Sequence, residues 1–84
     1  MRVTDEIAEK LAVFAPQSLR VEDESALHAG HAGARPEGQT HFRVTIRAAA
    51  FAPMSRVARH RAVHQALGVE LLDRIHALAL EVSD

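Results

Sequence analysis

Apolar residues at Ile7, Leu11 and Phe14 recur at i, i+4 and i+7, which predicts an amphipathic helix near the start of the chain. Thr4 reads as its N-cap, followed by Asp5 and Glu6 where the helix dipole favours anions. Pro16 ends it, because the residue before a proline is pushed out of helical space. In SLRVEDES, Leu19 and Val21 alternate with Arg20 and Glu22, the pattern of a half-buried strand. From Ala26 to Gln39 the periodicity collapses into small residues, Gly30, Gly33, Gly38 and Pro36, a long loop of the kind that often carries function. THFRVTIRA then sets Phe42, Val44 and Ile46 against His41, Arg43, Thr45 and Arg47, a strand with one solvated face. FAPMS is a break, with Pro53 at or near a helix start and Ser55 contributing to the cap. From Met54 to about Ala66 the chain reads as helix, with Val57, Val63 and Leu67 on one broad side and His60 in their midst. Gly68 interrupts, Val69, Leu72 and Ile75 suggest a short further helix, and Leu78, Leu80 and Val82 alternate through a closing strand that starts at His76.

The order helix-strand-strand-helix-helix-strand predicts a single α+β domain over residues 1–84. Its stripes are buried most simply in a three-stranded mixed sheet with helices packed on one face. The first two strands form a hairpin with a long tip, and a right-handed crossover sets the last strand parallel to one of them.

Composition narrows the function. Ten basic and eleven acidic residues leave a net charge of −1, which argues against coating nucleic acid by charge alone. There is no cysteine, hence no disulfide framework and no all-protein thiolate site. No apolar run approaches the roughly 18 residues of a membrane span, and MRVTDEIAEK lacks the apolar core of a secretory signal. The expectation is a cytoplasmic protein that is monomeric when alone. No nucleophile with a base, phosphate loop or zincin spacing is present, so an enzyme is not expected. Six histidines in 84 residues remain to be explained.

The run HFRVTIRAAAFAPMSRVARHRAVHQALGVELLDRIHALAL resembles the BolA family. The likeness rests on the Arg59-His60-Arg61 triplet, Val63, Leu67 and the closing His76-Ala77-Leu78 in order and spacing. DESALHAGHAG and the later THF match the variant of the family with histidine, rather than cysteine, in its loop. The resemblance spans roughly residues 4 to 82; it departs where Phe51-Ala52-Pro53 replaces the usual Phe-x-Gly. It implies a fold related to the class II KH domain. It also implies a monothiol glutaredoxin as partner in a heterodimer, sharing a [2Fe-2S] cluster with that partner and its glutathione, and no cofactor when the chain is alone.

On the residues alone, His76 could simply fill space or bond a backbone group; the resemblance makes it a cluster ligand. His28 and His31, three apart between small residues, read equally as solvated loop positions or as a metal pair, and His28 matches the family's loop histidine best. His41, on the solvated strand face, is a further candidate ligand; His60 reads as structural and His64 as surface. Two histidines can replace two cysteines on one iron of a cluster. A chain with imidazoles and no thiolate therefore offers half of such a site. The competing expectation is a DNA-binding regulator of stress response and cell morphology. It would use the helix-turn-helix-like region through Arg56, Arg59 and Arg61, with Arg43 and Arg47 on the adjoining strand. The Gly-x-x-Gly loop of KH domains is absent from the Leu67-Gly68-Val69-Glu70-Leu71 junction.

Overall fold

The computed structural model describes residues 2–24 and 41–84. Helix α1 (Val3–Leu11) leads through a 3-10 turn at Ala12–Phe14 into strand β1 (Ser18–Asp23). Strand β2 (His41–Arg47) follows, then a 3-10 turn at Ala49–Phe51, α2 (Arg56–Leu67), α3 (Val69–Arg74) and β3 (Ala77–Ser83). The sheet order is β1-β2-β3, with β1 antiparallel and β3 parallel to β2. The α+β order, the hairpin and the parallel return are those the sequence predicts.

The alternation in β2 decides which face is packed. Phe42, Val44 and Ile46 are at most 2% exposed and meet Ile7, Leu11, Val63, Leu67 and Leu71 from the helices. Leu19 and Val21 of β1 and Leu78, Leu80 and Val82 of β3 flank this row on the same side. The opposite face carries Arg20, Glu22, Arg43, Thr45, Arg47 and Glu81, an alternation of charges suited to a solvated sheet face.

Several sequence expectations give way to packing. Helix α1 starts at Val3 rather than after a Thr4 cap, because the extra turn buries Val3 in line with Ile7 and Leu11; the Arg2 carbonyl accepts from the Asp5 and Glu6 amides. Val57, read as a core residue, is 59% exposed, and Val69 is 75% exposed. A helix turns about 100° per residue, which carries Val57 away from the stripe that Val63 and Leu67 define. Gly68, at φ 87° and ψ 154°, then resets the rotation of α3 so that Leu71 faces the core instead of Val69. An added Cβ at Gly68 would meet nothing within 4 Å, so the constraint there is the backbone angle alone. His60 is half-buried and His64 exposed. Phe51, read only as part of a break, is fully buried and stacks on Phe14 with ring centroids 4.8 Å apart.

Ser55 caps α2 as expected, its hydroxyl oxygen accepting from the Ala58 amide at 3.1 Å. Ser55→Ala should cost about 1 kcal/mol, read as a lower midpoint in denaturant with an unchanged slope. A loss below the error of the measurement would show that the cap is replaced by water.

Candidate functional site

The N-terminal ends of β2 and β3 lie side by side, because the parallel register pairs His41 with Ala77. His76, one residue before β3 rather than at its first position, therefore sits beside His41. The two rings are 5.1 Å apart between centroids with their planes tilted by 55°. Their surroundings differ. His76 is exposed, whereas His41 is only 6% exposed. The solvated-face position expected for His41 is thus corrected: its parity points it away from the apolar core, yet it is buried, with its ring against that of His76. A ring so enclosed is suited to fixing its neighbour, while the exposed one is free to meet another molecule.

Two sets of contacts hold the backbone around His76. Downstream, β3 is bonded into the sheet, and the Ala48 amide donates to the Ser83 carbonyl at 3.0 Å. Upstream, Arg74 at the end of α3 donates to both carboxylate oxygens of Glu6 on α1, at 2.9 and 3.0 Å, and also to Glu70. The hydrogen bonds from Arg74 hold the Glu6 carboxyl below the usual carboxylate range, and those to Glu6 and Glu70 keep the guanidinium firmly charged.

The chain leaves β1 at Glu24 and rejoins the sheet at His41, where the Glu24 amide donates to the His41 carbonyl at 2.7 Å. His28 and His31 belong to the intervening segment and lie outside the described residues. The segment that carries them is thus anchored at the same end of the sheet as His76. Among the described residues no group of three or more His, Cys, Asp or Glu could hold a metal ion.

The arginines proposed for nucleic acid divide into two kinds. Arg59 is spent on the fold: its Nε donates to the carbonyls of Phe51 and Met54 at 2.9 and 3.2 Å, and Nη2 to Asp84 at 3.2 Å. Arg43 bonds Glu24 through Nε at 3.1 Å, and this hydrogen bond holds its guanidinium more firmly protonated. Arg47, Arg56 and Arg61 are exposed. The open sheet face sets Arg20, Arg43 and Arg47 against Glu22, Glu24 and Glu81, a balanced ladder rather than a basic patch.

The contact of His41 with His76 was not foreseen, yet a signal existed. Aligning the apolar alternation of Phe42-Val44-Ile46 with that of Leu78-Leu80-Val82 pairs His41 with Ala77 and so places His76, one residue earlier, at the same strand end. The roles of Arg59 and Arg74 had no such signal, since each bonds groups from other elements.

The family model for BolA-like protein matches residues 11–83. The DNA-binding transcriptional regulator BolA of Vibrio cholerae is 42% identical over 79 residues, covering 93% of this chain and 71% of its own length. BolA-like protein 1 of Mus musculus is 43% identical over 68 residues, covering 81% of this chain and 47% of its own; the chain thus spans about half the length of this longer relative. The solved BolA domain of SufE1 from Arabidopsis thaliana superposes with a TM-score of 0.79 at 40% identity, covering 95% of this chain and 88% of that one. No helix among the described residues is long and apolar enough to cross a membrane.

Proposed function

The chain belongs to the BolA-like proteins, and from that membership together with the placement of His76 we propose an adaptor that binds a monothiol glutaredoxin and lends imidazole ligands to a [2Fe-2S] cluster shared between them. The observation that carries the reading is one exposed imidazole, held rigidly at the sheet end where the 25–40 segment is anchored. The donor set suits the group. Imidazoles replace thiolates on one iron in known clusters, and a chain without cysteine must take its sulfur from the partner and its glutathione. His76 is the first ligand in this reading, His28 the second and His31 its alternate. His41 packs against the His76 ring and limits its rotation, so that less freedom is lost when the nitrogen is engaged. Bound between the proteins, the cluster would supply an iron whose imidazole bonds weaken as the rings protonate, which suits transfer or iron regulation better than storage.

The test is to mix the protein with cluster-loaded monothiol glutaredoxin. A changed visible absorption and circular dichroism spectrum, with a one-to-one complex on a sizing column, is the expected result. An unchanged spectrum with no complex refutes the proposal.

The name of the Vibrio cholerae relative favours a second reading, DNA contact through α2. Arg56 and Arg61 are exposed there, but Arg59 and Arg43 are engaged within the protein. A competitor-resistant complex with a labelled duplex near physiological salt would support it, and a signal lost at that salt would reduce it to unspecific charge.

A further inference from the structure

We infer that the outer edge of β3 pairs with a second copy of this chain, in antiparallel register about a two-fold axis at Leu80. The backbone settles which groups are on offer. The Ser83 carbonyl accepts from the Ala48 amide, so Ser83 points toward β2. Backbone direction alternates along a strand, so Glu81, Ala79 and Ala77 point inward with it. Leu78, Leu80 and Val82 turn their N–H and C=O groups outward, and among the described residues no strand pairs beyond β3.

The edge lacks the usual protection. β3 reads ALALEVS, with one charge and no proline, whereas β1 at the opposite edge carries Arg20, Glu22 and Asp23. Its packed face is also incompletely covered. Leu78, Leu80 and Val82 remain half-buried, while their register partners Phe42, Val44 and Ile46 are at most 2% exposed.

The occupant follows from self-complementarity. The three outward residues are symmetric about Leu80, so a two-fold axis there pairs Leu80 with Leu80 and Leu78 with Val82, each exchanging both backbone bonds. On the packed face this continues the apolar row into the second molecule. On the open face Glu81 of each copy falls opposite Ala79 of the other, and no like charges oppose. At the ends His76 of each copy falls opposite Asp84 of the other, whose carboxylate is already bonded by Arg59 of its own chain. The result is a closed dimer with a six-stranded sheet, a different state from the monomer that the short sequence suggests. The inference does not depend on the cluster reading.

Ala79→Glu sets a carboxylate opposite Glu81 of the other copy, twice by symmetry. Within its own chain the new side chain lies beside Arg43, so the fold should persist. Sedimentation equilibrium over rising concentration should show a reversible monomer–dimer equilibrium for the unaltered protein. Ala79→Glu should weaken it about tenfold, and adding Glu81→Lys to that variant should restore it. Amide exchange provides a readout without substitution: Leu78, Leu80 and Val82 should exchange more slowly as the dimer fills. A monomer at all concentrations into the millimolar range overturns the inference. So does association insensitive to Ala79→Glu, failure of the double variant to recover, or growth beyond two copies.

Discussion

His76→Ala should abolish the cluster-dependent complex with a monothiol glutaredoxin and leave the fold intact. The side chain is exposed and ends no buried network, so its removal should change stability by no more than about 0.5 kcal/mol. The loss at the site is of another order. The ring presents its nitrogen from a backbone fixed by the β2–β3 ladder on one side and the Arg74–Glu6 pair on the other. A loop nitrogen cannot be moved into that place without rebuilding both. The visible dichroism of the mixed complex should therefore fall to that of glutaredoxin alone. His28→Ala should reduce the signal and His31→Ala less so. His41→Ala should blur the spectrum while also lowering the melting temperature, because its ring is enclosed. If His76→Ala keeps the full spectrum, the assignment of this end of the sheet is wrong. If only the loop variants are silent, the partner stands and the second ligand must be sought elsewhere.

Phe51→Ala should be the most damaging single truncation in the packed layer, at about 3–5 kcal/mol. The total for a domain of this size is on the order of 4–13 kcal/mol, so much of the margin would go. Phe51 is fully buried, stacks on Phe14, and its carbonyl accepts from Arg59 in the turn that precedes α2. Removing the ring leaves a cavity between the 3-10 turn after α1 and the start of α2, and the turn whose Phe51 carbonyl accepts from Arg59 loses its packing support. The melting temperature should drop by roughly 15 °C or more. Val57→Ala, in the same region but 59% exposed, should be nearly neutral and serves as the contrast. A shift below about 1 kcal/mol for Phe51→Ala would mean that the surrounding residues collapse into the gap, contrary to the tight packing described.

The same contrast shows where sequence reading succeeds. Strand β2 was legible residue by residue, since an alternation of period two assigns its faces with no knowledge of neighbours. The helix stripes were legible only in part. Val63 and Leu67 stand four apart and define a face, but the alanines around them leave its centre unmarked, and Val57 was drawn into it. Phe51 was hidden because a single aromatic in a short turn has no period. Of the candidate site, the histidines themselves were legible as residues, and the ligand role proposed for His76 came from resemblance alone. The burial of His41 and the engagement of Arg59 and Arg43 were not, as each depends on what lies across space.

By itself, then, the sequence determined the order of elements, the packed face of each strand, and that the chain brings imidazoles and no thiolate of its own. These follow from local periodicity and from which atoms the side chains possess. Only the tertiary structure decided that the rings of His41 and His76 meet, that Leu71 rather than Val69 enters the core, and that among the described residues no strand pairs beyond β3. The reason is physical: strand register and helix rotation after Gly68 are set by packing among segments far apart in the chain, and no window of neighbouring residues contains that information.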